Sequence, residues 1–73
     1  MVVNMEMLRR KIADNNMSIA DFSTEIGINP STFYRKAERG GKSFTVGQMH
    51  RTGEVLNLTD AEMSQIFLFD NSQ

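Results

Sequence analysis

The side chains in this chain best suited to chemistry cluster in the run Ser31-Thr32-Phe33-Tyr34-Arg35-Lys36. Apart from Phe33, each carries a hydroxyl, a phenol or a cation, groups that meet phosphate oxygens and the edges of bases. If the run is helical, Pro30, Ser31, Tyr34 and Arg35 share one outward face while Phe33 and Ala37 point inward. From that face Arg35, one turn beyond Ser31, can reach guanine O6 and N7 together, a contact that discriminates by about 1–3 kcal/mol. Ser31 can donate to or accept from a base edge. Pro30 offers apolar contact, for example to a thymine methyl, and Tyr34 can lie against the sugar-phosphate wall. Thr32, Lys36, Arg39, Lys42 and Ser43 are candidates for the phosphate backbone, whose contacts set register and affinity without reading sequence. The backbone N–H groups after the caps Ser18 and Thr45, near Ile19 and Val46, join that set because helix N-termini attract anions. The bland alternative for each is a solvated helix face.

The stretch Ser18 to Arg39 must position this face, and it reads as two short helices joined by a tight turn. Ser18 can cap the first, with Asp21 three residues on. Phe22 and Ile26 recur at i, i+4 on the buried side. Gly27 stands where a helix ends on a residue that must reach φ > 0. Asn29 is a good N-cap, and Pro30 takes the first helical position, where its missing N–H costs nothing. A second helix that starts on a fixed turn and shows a polar, cationic face is what a major groove accepts. The stretch reads as a helix-turn-helix.

Residues 19–38 resemble the helix-turn-helix of the phage repressor/Cro class, the lambda-repressor-like or XRE-type family. The residues that carry the likeness are Phe22, Ser23, Ile26-Gly27-Ile28 and Phe33. The run 31–36, followed by a Gly-containing loop and TVGQMHRTGEVLNLTDAEM, is similar to small phage-type regulators of Gram-positive bacteria. Two positions depart from the pattern. Ile19 opens the second helix where the family often has Gln, and Thr52-Gly53 stands where Ile-Ala is commoner. The resemblance spans about residues 5–68.

One small pattern repeats at every helix start. An apolar residue precedes a cap, and another follows four after the cap: Val3-Asn4-Leu8, Met17-Ser18-Phe22, Ile28-Asn29-Phe33, Phe44-Thr45-Met49 and Leu58-Thr59-Met63. These are hydrophobic staples, and Gln48 and Glu62 complete capping boxes at the last two. The expectation is an all-α single domain over residues 1–73, with helices at about 5–15, 19–26, 30–39, 46–56 and 60–69. No strand is expected, because period-2 alternation is absent. Val46, Met49 and Leu56 are expected to face inward. Gly53 inside a helix costs roughly 1 kcal/mol against Ala, so close approach of another helix is expected there. Gly40-Gly41-Lys42-Ser43 reads as the flexible connector.

With 73 residues and no cysteine, there is one small core and neither disulfide nor thiolate metal site to staple it. No stretch approaches the roughly 18 apolar residues of a membrane span, and MVVNMEMLRRK is no signal peptide, so a cytoplasmic protein is expected. The net charge of −1 argues at face value against nucleic acid. Its distribution argues otherwise: Arg51 is the one cation after Lys42, against Glu54, Asp60, Glu62 and Asp70. Phosphate responds to the local field rather than the total.

His50 is the only histidine and the carboxylates are scattered, so no enzyme, metal, cofactor or small-molecule ligand is expected. Met63, Ile66, Phe67, Leu68 and Phe69 exceed what one face of a terminal helix buries, and exposed apolar patches mark interfaces. Met63, Ile66, Phe67 and Phe69 are therefore candidates for a homodimer that would place recognition helices roughly 34 Å apart on DNA. The reading is a Cro-like or small phage-type repressor that occupies a double-stranded operator. Its rival is a protein-interaction module, an antirepressor or assembly partner, that keeps the fold without specific DNA binding.

Overall fold

A computed structural model describes residues 2–68. It contains five helices: α1 (Met5–Asp14), α2 (Ile19–Glu25), α3 (Pro30–Glu38), α4 (Val46–Val55) and α5 (Asp60–Ile66). Two short strands, β1 (Val2–Val3) and β2 (Phe67–Leu68), pair antiparallel with Val2 opposite Leu68 and Val3 opposite Phe67. The domain is all-α apart from this ribbon.

Each helix begins where its cap expects. Asn4, Ser18, Asn29, Thr45 and Thr59 accept from the backbone N–H of Met7, Asp21, Ser31, Gln48 and Glu62 at 2.9–3.1 Å. Gln48 and Glu62 reach back to the cap N–H of Thr45 and Thr59, so both capping boxes are closed. Such caps each stabilise a helix by about 1 kcal/mol.

The helix ends share one device. After α1, α2 and α4 a residue with positive φ (Asn16 at 57°, Gly27 at 82°, Asn57 at 52°) turns the chain. The apolar residue that follows donates its N–H back into the helix: Met17 to Ile12 at 3.2 Å, Ile28 to Ser23 at 2.9 Å, Leu58 to Gly53 at 3.0 Å. This is the Schellman closure. The same apolar residue is also the first half of the next helix's staple, so one side chain serves two helices.

The connector after α3 is bonded in the same way. Gly40 N donates to the Ala37 carbonyl at 3.0 Å and Gly41 N to the Lys36 carbonyl at 2.8 Å. Gly41 has φ 75°, and a Cβ there would lie 2.5 Å from Val3 Cβ. The expected flexible linker is thus a helix cap packed on β1.

Phe22, Phe33 and Phe67 are fully buried with Leu8, Ile12 and Ile66. Phe33 meets Phe22 edge to face at 5.9 Å and Phe44 at 6.2 Å, which ties α2, α3 and the α3–α4 turn together. Edge contacts of this kind add about 0.5–1.5 kcal/mol beyond burial. Thr52 is buried without an orphan group, because its hydroxyl donates to the Gln48 carbonyl at 2.8 Å. Close approach at Gly53 is confirmed: a Cβ there would lie 2.8 Å from Met63 Sδ on α5.

The expected absence of strand gives way to the β1–β2 ribbon, and three further expectations are corrected. The last helix ends at Ile66 rather than near 69, since Phe67 leaves helical geometry to pair with Val3. Asn4 N donates to the Ile66 carbonyl at 2.6 Å, which seals that end. Val46, expected inside, is 69% exposed: it opens α4, and Phe44 before the cap fills the core instead. Ile66 and Phe67, expected at a dimer interface, are wholly buried in their own chain, where the ribbon turns Phe67 inward. Phe69 lies outside the described residues, and Met63 is half-buried over Gly53.

Candidate nucleic-acid interface

The outward face of α3 forms as its spacing requires. Asn29 anchors its start, and Pro30 occupies the first helical position. Ser31, Tyr34 and Arg35 are exposed and Pro30 is half-buried. Tyr34 stands on the core by an edge contact with Phe33 at 6.0 Å and keeps half its surface in solvent. The Ser31 hydroxyl donates to Asn29 Oδ1 at 2.7 Å. With its proton on Asn29, the oxygen keeps its lone pairs as acceptors.

A concavity of about 200 Å³ adjoins that face, lined by Thr32, Arg35, Lys36, Arg39 and Ser43. Three cations and two hydroxyls thus converge where the α3 C-terminus meets the turn into α4. It has the size and charge for a phosphate group. The structure so brings together four of the residues expected on the phosphate backbone with Arg35, expected at a base. Arg35 Nη2 donates to Thr32 Oγ1 at 3.2 Å, which holds the guanidinium along its own helix.

Lys36 has a different place from its neighbour. Its Nζ donates to the Ser43 carbonyl at 2.8 Å and lies 5.6 Å from the centre of the Phe44 ring. It is a strut between α3 and the turn as well as a charge in the concavity. Lys42, exposed on that turn, makes no ion pair among the described residues. The Thr45 Oγ accepts from Gln48 N, leaving the hydroxyl proton to offer. Ser18 caps the seven-residue α2 and is exposed, and Ile19 beside it is half-buried against the core.

Two positioning contacts have no signature in local spacing. Arg51 Nε donates to the Glu25 carbonyl at 3.0 Å, and its guanidinium lies 3.7 Å from the Glu25 carboxylate and 3.5 Å from Glu54. It ties α4 to the last residue of α2, just before the turn at Gly27. Lys11 on α1 pairs with Glu62 on α5. The hydrogen bond from Lys11, helped by the Thr59 N–H, lowers the Glu62 carboxyl to about 2. Arg10 pairs with Glu6 at 3.3 Å, so the basic run on α1 is partly spent within the chain.

Among the described residues no group of His, Cys, Asp or Glu is arranged to hold a metal ion, and no helix is long and apolar enough to cross a membrane. Compared with known protein families, curated proteins and solved structures, the chain gives no match.

Proposed function

We propose that this chain is a sequence-specific double-stranded DNA-binding regulator of transcription, a Cro-like or small phage-type repressor that sets α3 in the major groove of an operator. The observation that carries the reading is the cationic concavity of Thr32, Arg35, Lys36, Arg39 and Ser43 beside the exposed face of a helix that starts on a fixed turn. Phosphate seated there would orient α3 so that Ser31, Tyr34 and Arg35 reach base edges. Ser31, with its proton held by Asn29, would accept from adenine N6 or cytosine N4. Two copies on one operator would follow the two-fold symmetry of a pseudo-palindrome.

The test is selection of bound sequences from a random duplex library at moderate salt. Enrichment of half-sites about 10 bp apart is expected for a pair of copies. A single unsymmetrical half-site would keep the regulator and discard the pair. No enrichment, with retention lost as salt rises, would discard sequence-specific binding and leave the protein-interaction module standing.

A further inference from the structure

A second concavity, of about 550 Å³, lies between α4 and α5 and shares no residue with the cationic one. Val46, Met49, His50 and Gly53 line it at i, i+3, i+4 and i+7, a stripe about 10 Å long on α4. Met63 and Phe67 face them from the end of the chain. Gly53 lets Met63 close over α4, since a Cβ there would lie 2.8 Å from Met63 Sδ. Val46 at its mouth is 69% exposed, the largest exposure among the bulky apolar side chains of the described residues. Two flexible thioethers in its lining can adapt to an incoming side chain.

The charges around the groove say what fits it. Glu54 and Asp60 line it, and no Lys or Arg does. From Phe44 to Leu68 the only cation is Arg51, already engaged by Glu25 and Glu54. A second copy placed there by a two-fold axis would bring its own Glu54 and Asp60 into the same seam, with no Lys or Arg in either lining to balance them. Like charges across an interface suppress that pairing.

We propose that the α4–α5 groove docks a cationic amphipathic helix of another protein, its apolar anchors on Val46, Gly53 and Met63 over the buried Met49 and its Lys or Arg residues beside Glu54 and Asp60. Helices of this kind enter grooves through anchors at i, i+3 or i+4, and i+7, which matches the length of the stripe. The lining side chains of the two concavities are disjoint, so the docking rests on its own observations. Failure of either reading leaves the other intact.

The experiment follows the methionine methyl signals of the full chain by NMR. Met49 and Met63 report on the groove, while Met5, Met7 and Met17 pack against the core outside it. The probe is a synthetic helical peptide with Leu at i, i+3 and i+7 flanked by Lys, with a Glu-flanked version as control. Saturable shifts confined to Met49 and Met63 are expected, with binding roughly tenfold tighter for the Lys-flanked peptide because charge selects the partner. Val46→Lys, at a site exposed enough to leave the fold unchanged, should weaken that peptide and spare the other three methyls. Equal binding of both peptides would overturn the proposal, as would no shift at Met49 and Met63. The same shifts on raising protein concentration alone, with a doubled mass, would assign the groove to a second copy and overturn it too.

Discussion

Arg35 and Lys36 are neighbours of equal charge with different surroundings, and the difference is testable. Arg35 rests on Thr32 by one hydrogen bond and is otherwise exposed, so it can swing to a base. Arg35→Ala should weaken operator binding by about 1–3 kcal/mol and relax one base position. Equal losses on operator and random duplex would remove it from base reading. Lys42→Ala should lower affinity on all duplexes alike and flatten the salt slope by about one unit, since one phosphate contact is lost. An unchanged slope would clear it of phosphate contact. Lys36→Met should speed amide exchange at Gly41 and Phe44 in the DNA-free protein, because its tie to the Ser43 carbonyl is cut. Unaltered exchange would deny it that role. The charges of these residues are plain in the sequence. The Lys36 strut is not, because it depends on a turn that only the paired positive φ of Gly40 and Gly41 brings round.

At the scale of elements, the chain is legible because its joints are local. Asn16-Met17-Ser18, Gly27-Ile28-Asn29 and Asn57-Leu58-Thr59 each combine a left-handed residue, a shared apolar plug and a cap. All the information needed sits within a few residues of each joint, so spacing alone places five helices. Gly27→Ala tests the middle joint. Nothing lies within 4 Å of the added Cβ, so the cost is backbone strain at φ 82° alone. A non-glycine residue there loses about 1–2 kcal/mol, and Tm for a domain of this size falls about 4–8 °C per kcal/mol. A Tm shift near zero would mean that the turn relaxes without cost. Where the partner is distant, spacing carries no signal. Two-residue strands have no periodicity to detect, so Phe67 reads as helix and surface although it is strand and core. Arg51 bonding to the Glu25 carbonyl, 26 residues back, is hidden for the same reason.

Across the whole molecule, the cations lie early in the chain: Arg51 is the one Lys or Arg after Lys42, against Glu54, Asp60, Glu62 and Asp70. The Lys11–Glu62 pair joins the first helix to the last. The Glu62 carboxyl is lowered from 4.5 to about 2 in the folded chain, so its contribution to stability is full above the unfolded value of 4.5. It fades as pH falls from there toward 2, since the unfolded chain takes up the proton first. Glu62→Gln should therefore flatten the fall of Tm with acidification in that window. Parallel curves for variant and parent would show the pair to be idle.

The ribbon of Val2–Val3 with Phe67–Leu68 sets when the domain can come into being. Its first strand is synthesised well before its partner, since Val3 pairs with Phe67. Until Ile66 and Phe67 arrive, Val3, Leu8 and Phe33 belong to a core with no lid. Losing a buried Phe costs about 3–5 kcal/mol, most of what a chain of this length has in hand. A nascent chain stalled at 65 should thus hold capped helices and no settled core, and the fold would close only once Ile66 and Phe67 have been made.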